Sequence, residues 1–489
     1  MKKVLYGLAA FGMLAVLISA GCGKKDSDDA APVITPPVFT AIDGGYAGTD
    51  TCLFCHEGTK ASDKRSFKET GHPYKYTHTG GEVMGASTIP GLHTRPVAST
   101  DYINTVSLNG LMKADSNGLL DWSVINYTVG GYGWKIRWGV KDTLMSGGTT
   151  STGFVWSGPK AQLNLVDGSW SAYNSGKDKK YECAICHSTN GIVSTTGYSC
   201  GTDGGTDAAP ARTQPWGKNA GMGPDTNGGY YSSWTFDGVQ CEACHGPGEG
   251  HSKDYLTKQN VLTLAGGVEI CAKCHIRAEN TAGAGAECGG DADPKILTNG
   301  AVASGATPTT EFISHHEQYN EMVGLNGDGA HAARKCSDCH DPHKRTTKVV
   351  ASVASLLGIT DNDKSGIERG AIKKDCTECH SSATYKSSGT GSSMAGLHCI
   401  DCHMAEATKS AKGKSGAWGV KGDVKTHIFR INPTATTILR KNADNKTVAT
   451  NYITLRYACG KCHDTAAGGT ISISEAAVQI KAVNYHGTK

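Results

Sequence analysis

Sixteen of the chain's 19 cysteines stand in eight copies of one pattern, Cys-x-x-Cys-His. In chain order the motifs are Cys52, Cys55, His56; Cys183, Cys186, His187; Cys241, Cys244, His245; and Cys271, Cys274, His275. The other four are Cys336, Cys339, His340; Cys376, Cys379, His380; Cys399, Cys402, His403; and Cys459, Cys462, His463. With 19 Cys and 19 His in 489 residues, chance supplies roughly 0.03 such triplets. The spacing has a chemical reason. Two cysteines three positions apart lie about one helical turn from each other and can reach both vinyl groups of one porphyrin, while the adjacent histidine turns onto the iron. Zinc sites and thioredoxin-like redox pairs do not require histidine after every second cysteine. The motifs therefore predict eight covalently bound c-type haems, each with an iron-ligating histidine.

Eleven histidines remain: His72, His78, His93, His251, His315, His316, His331, His343, His398, His427 and His486. They are enough to cap every iron on its second face. An iron held between two imidazoles is low-spin, closed to substrate, and changes its geometry little on reduction, which suits electron transfer better than catalysis. No catalytic residue is assigned.

The stretch Cys241-Glu-Ala-Cys244-His245-Gly-Pro-Gly-Glu-Gly-His251 resembles multihaem cytochromes related to hydroxylamine oxidoreductase. The resemblance makes His251 a ligand of a neighbouring haem. The stretch His315-His316-Glu-Gln-Tyr-Asn-Glu, followed by His331 and by Cys336-Ser-Asp-Cys339-His340-Asp-Pro-His343, resembles the same group's downstream block, whose elements each supply a distal histidine. Gly71-His72-Pro-Tyr-Lys, His398 before Cys399, and Thr426-His427-Ile-Phe-Arg are similar to stretches of secreted and outer-membrane cytochromes of metal-reducing bacteria. Together with His486, the implied distal set is His72, His251, His316 or His315, His331, His343, His398, His427 and His486. His78 or His93 could displace His72 or His486. The resemblance implies an octahaem electron-transfer cytochrome of extracellular or outer-membrane anaerobic respiration, serving redox partner proteins or an extracellular acceptor. The same group contains enzymes, so the alternative is a multihaem redox enzyme acting on hydroxylamine or a small nitrogen or sulfur oxyanion. No motif ends in lysine, which removes the nitrite-reductase pattern.

The rest of the chain must position these groups. Lys2 and Lys3 precede an apolar run from Val4 to Ala20, and Ser19-Ala20-Gly21-Cys22 follows the form of a lipoprotein cleavage site. Residues 1–21 read as a signal peptide, Cys22 as the acylated N-terminus, and 22–45 as a flexible linker. This predicts an exported outer-membrane lipoprotein, facing the periplasm or the cell surface and held by its N-terminal lipid. The net charge of +3, without a long basic block, argues against nucleic acid as a partner.

Glycine occupies 64 of 489 positions, about 13% against a usual ~7%. The predicted fold is mostly irregular, with short α-helices around a stacked haem core. A small β-rich insertion is expected near 82–175, where Trp134-Lys-Ile136-Arg-Trp138 alternates apolar and charged residues. The expected divisions are 46–180 for the first haem with this insertion, 181–430 for a central region with six motifs, and 431–489 for the eighth. Cys200 and Cys288 lie outside the motifs and could form a disulfide in an oxidising compartment. Asp361-Asn-Asp363-Lys-Ser365-Gly366 begins like a calcium loop but has Ile372 at the twelfth position, so a solvated turn is the simpler reading.

Overall fold

A computed structural model describes residues 45–56, 65–78, 125–193 with gaps, 232–254 with a gap, 267–275, 296–298, 311–349 except 316–317, 351–381 with gaps, and 397–482 except 444 and 446. The signal peptide, nearly all of the linker, Cys22, Cys183, Cys200, Cys288, His93, His316 and His486 lie outside the described residues. Among the described residues, no helix is long and apolar enough to cross a membrane.

The motifs fold as isolated helical turns. They occupy Thr49–His56, Ala184–His187, Cys241–His245, Gly267–His275, Cys336–Cys339, Cys399–His403 and Gly460–His463, with a 3-10 turn at Cys376–Glu378. Helices this short are unstable alone, because nucleation costs more than a few backbone bonds return. Three of them carry the same local remedy. Asp338, Glu378 and Asp401, each directly before its motif's second cysteine, accept the backbone N–H of the residue preceding the first cysteine, at 3.0, 2.8 and 2.8 Å. Each carboxylate thus satisfies an orphan donor at the start of its turn and sits favourably at the positive end of the helix.

Residues 76–180 build an antiparallel sheet of seven strands: β1 Tyr76–His78, β2 Ile125–Gly130, β3 Lys135–Met145, β4 Thr149–Val155, β5 Gly158–Asn164, β6 Ser169–Tyr173 and β7 Lys179–Lys180. The main path runs β1-β2-β3-β4-β7, with β5 pairing β3 and β6 pairing β5. Alternation sorts the faces of β3. Ile136 and Trp138 are buried, with Trp138 stacked on Trp170 at 5.5 Å, whereas Arg137 donates to Gln162 and lies over the Tyr173 ring. Trp134 and Lys135 tie the sheet to the C-terminal region by donating to the carbonyls of Asp423 and Ser410.

The aliphatic core lies in that region. Phe312, Ile313, Ala405, Ala407, Val420, Ile428, Ile438, Ala449, Ile453 and Tyr457 form one buried cluster. Short pairings frame it: Glu311–Ser314 runs parallel to Thr408–Lys409, and Arg430–Asn432 parallel to Tyr452–Thr454. Gly460, inside the eighth motif, is packed so closely that a Cβ there would meet the Gly419 Cα at 2.3 Å.

A second anchor closes the N-terminal end. Glu242 lies between the cysteines of the third motif and is 1% exposed. Its carboxylate accepts the N–H groups of Ala47, Gly48 and Gly248 at 2.8, 2.8 and 2.6 Å, tying the approach to the first motif onto the third. Burial pushes this carboxyl upward, and the three backbone donors pull it back. A carboxylate buried in this way satisfies donors that would otherwise lose their water partners on folding.

Candidate haem sites

Four lone histidines come to rest against four motif histidines. His72 faces His275 with ring centroids 6.3 Å apart, His343 faces His245 at 6.1 Å, His331 faces His380 at 6.1 Å, and His427 faces His340 at 6.0 Å. These distances are far too long for imidazole stacking contact and fall in one narrow band. A metal–imidazole bond of about 2 Å on each side of one iron, plus about 1.1 Å from each nitrogen to its ring centre, puts trans imidazole centroids about 6 Å apart. The arrangement therefore fits an iron held between the members of each pair.

The protonation states agree with the spacing. Burial is the largest influence holding His72 down at about 3 and His275 and His340 at about 4. It also lowers His331 and His463. Burial thus favours the neutral imidazole, the form that can ligate a metal.

The backbone places each partner by a distinct route. His72 is fixed from the third motif's approach, where Val239 donates its N–H to the His72 carbonyl at 3.0 Å. The adjoining Gly238 has φ +68°, and a Cβ there would stand 1.9 Å from the Pro73 carbonyl oxygen, so only glycine permits the approach. His343 lies three residues beyond His340, so one short segment faces two sites. Asp341 accepts the His343 backbone N–H at 3.0 Å, and its carboxylate lies 3.2 Å from Nδ1. Phe429 joins three sites. Its ring packs edge-on against His331 at 4.3 Å and against His427 at 6.0 Å, and its carbonyl lies 2.7 Å from Nδ1 of His403.

Cysteines of different motifs also approach one another. Cys241 and burial push the Cys52 thiol up, Cys271 and burial push that of Cys336 up, and burial with the neighbouring Cys399 raises Cys376, so these cysteines of different motifs are neighbours. Cys339 lies within the electrostatic reach of Cys379, and Cys459 within that of Cys402. The attachment points thus run side by side from the fourth motif through the fifth, sixth and seventh to the eighth, with the first beside the third.

Other sequence-predicted residues occupy plainer surroundings. His251 lies in the short helix Glu249–Lys253, half-buried. His315 Nε2 is 3.3 Å from the Lys135 ammonium. His398 is exposed at the start of the seventh motif, and His56 is exposed at the end of the first. His78 pairs through its backbone with Tyr127. His463 Nδ1 is buried with no hydrogen-bond partner among the described residues. The calcium-like loop is a turn closed by cations: Asp361 pairs with Arg345, and Asp363 with Lys348. Sequence reasoning did not single out Glu242, Gln318, Glu321 or Phe429, although each lies in or beside a stretch quoted for its histidines.

No family model matches the chain. The dissimilatory sulfite reductase MccA of Wolinella succinogenes is 27% identical over 182 residues, 34% of this chain and 22% of that protein. The multiheme cytochrome MtrA of Shewanella baltica is 26% identical over 163 residues, 29% of this chain and 42% of that protein. The chain thus spans less than half the length of either relative. Among solved structures, the outer cell wall cytochrome OcwA aligns at TM-score 0.44 and 17% identity, over 90% of this chain and 87% of that one. The Wolinella succinogenes octaheme sulfite reductase MccA aligns at TM-score 0.44 and 13% identity, over 94% and 70%. The repeated motifs define the class: the chain is a multihaem cytochrome with covalently bound c-type haems. Its relatives carry the names of a multiheme cytochrome and of a dissimilatory sulfite reductase.

Proposed function

We propose that the chain is an exported octahaem electron carrier, in which paired histidines close each iron to substrate and contiguous attachment points make one conducting path. Bound haem supplies a one-electron ferric/ferrous couple. The observation that carries the reading is the set of four histidine pairs at 6.0 to 6.3 Å, each joining a motif histidine to one of the distal histidines expected from sequence. His72 serves the fourth motif, His343 the third, His331 the sixth and His427 the fifth. His251, His315 or His316, His398 and His486 are left for His56, His187, His403 and His463. The chain's residues hold buried imidazoles in place, and cysteines of the fourth to eighth motifs lie near one another in order along the chain. The signal sequence and Cys22 put the protein outside the cytoplasm on a lipid tether, where it serves redox partners or an extracellular acceptor.

An intact mass of the mature protein tests haem number and lipid together. It should equal the chain from Cys22 plus eight haems and an acyl-glyceryl group. The fully oxidised protein should show only low-spin ferric signals. The MccA relative supports a second reading, a reductase of a small sulfur or nitrogen oxyanion, which needs one of His56, His187, His403 or His463 to lack a distal partner. A high-spin ferric signal that shifts on adding sulfite, nitrite or hydroxylamine would establish that reading instead.

A further inference from the structure

The helix Gln318–Val323 presents two polar side chains, one turn apart, to two different histidine pairs. Gln318 Oε1 lies 3.1 Å from Nδ1 of His275, in the fourth site. Glu321 turns toward the fifth site: its Oε2 accepts the backbone N–H of His427 at 2.5 Å and stands 3.7 Å from that residue's buried Nδ1. The Glu321 carboxylate is fixed from its other oxygen by the Thr408 hydroxyl at 2.8 Å, and its side chain is 1% exposed. One helix therefore offers a neutral amide to one site and a carboxylate to its neighbour, and the two sites are adjacent, Ala272 of the fourth motif and Cys336 of the fifth packing into one cluster.

We propose that Gln318 and Glu321 are positioning residues that set a potential step between the fourth and fifth haem sites, with the fifth held lower. The proposal rests on the ligand assignments His275 with His72 and His340 with His427. Gln318 can hydrogen-bond the His275 ring directly, whereas at 3.7 Å Glu321 makes no hydrogen bond to the His427 ring and acts on the fifth site as a nearby carboxylate charge, which favours the ferric state. In a water-poor site a fixed charge a few ångströms away is little screened. The surroundings of the fourth site reinforce the difference, because Lys75, over the Trp134 ring at 5.9 Å, adds positive charge near His275. Electrons would settle on the fourth site before the fifth, so the helix grades the path at the junction between the segment holding His72 and the run of motifs from the fifth to the eighth.

Reciprocal variants of the full-length holoprotein test this by spectroelectrochemical titration. Glu321→Gln should raise one component: at a fixed poise its reduced-to-oxidised ratio should increase about tenfold, which is 59 mV for a one-electron couple. Gln318→Glu should lower a different component by a comparable factor. Glu321→Asp, which keeps the charge, should restore most of the original ratio. Low-spin EPR intensity should be unchanged in all three, since no ligand is removed. If both charge-changing variants are low-spin but shift no component by more than about twofold, the step is refuted and the ligand assignments stand. His427→Ala separates the two failures: if it leaves the low-spin count unchanged, the fifth-site ligand assignment falls and takes this inference with it. Should Glu321→Gln fail to fold, Gln318→Glu alone decides the matter.

Discussion

Removing His72 and removing His343 should erase two different EPR signals of equal weight. In the His72/His275 pair the imidazole planes cross at 87°, and in the His245/His343 pair they lie within 19° of parallel. Parallel imidazoles donate along one direction and split the iron's two π-type d orbitals, giving a rhombic low-spin ferric spectrum. Crossed planes leave those orbitals nearly degenerate and produce a single strongly anisotropic feature at high g. If all eight motifs carry haem, as proposed, each variant should convert one-eighth of the integrated low-spin intensity to high spin. His72→Ala should take it from the high-g feature, His343→Ala from the rhombic set. Both proteins should keep their full complement of covalent haem by mass, because neither a cysteine nor a motif histidine is touched. Cyanide should then return the lost eighth to low spin, showing that a coordination position has opened. The reasoning fails if either variant leaves the low-spin integral intact, or if His72→Ala depletes the rhombic signal.

Three further perturbations probe the frame around the sites. Glu242→Ala strands two buried N–H groups and a third that is half-buried, each buried one worth about 1–3 kcal/mol when left unsatisfied, so denaturant unfolding should show a loss of at least about 2 kcal/mol. Gly460→Ala forces a methyl against the Gly419 backbone and should lower stability by about 1–3 kcal/mol in thermal melts, while the haem count by mass stays the same. Glu311, raised to about 7 chiefly by burial, binds its proton more tightly folded than unfolded; its contribution is full below the ordinary value of 4.5 and is lost as pH rises through about 7. The wild type should therefore lose stability across that window, and Glu311→Gln, which does not titrate, should flatten that part of the profile.

Parts of the site were legible because they are written in local chemistry. Cys-x-x-Cys-His must fall within one helical turn to serve one porphyrin, so the attachment residues need no knowledge of the fold. The acidic residue before the second cysteine, as in Asp338, Glu378 and Asp401, acts on a backbone N–H three residues away, and its effect is equally local. The alternation at Trp134 to Trp138 reports which side chains face inward and nothing about what the sheet rests on. Contacts across long stretches of chain were another matter. That His72 meets His275 across 203 residues, or that Glu321 meets His427 across 106, follows from no spacing rule. Glu242, Gln318 and Phe429 were passed over for the same reason: each looks like an ordinary residue beside a motif until its partner arrives.

What the sequence supplied alone was an inventory: eight Cys-x-x-Cys-His motifs that can attach porphyrin, and more spare histidines than eight irons would need. Tertiary structure decided the pairing. A covalent motif is satisfied by neighbours within one turn, whereas an axial ligand, a buried carboxylate's donors and a close approach such as that of Gly460 to Gly419 are satisfied only where distant segments meet. Which histidine faces which, and whether an amide or a carboxylate lies beside it, is a property of that meeting.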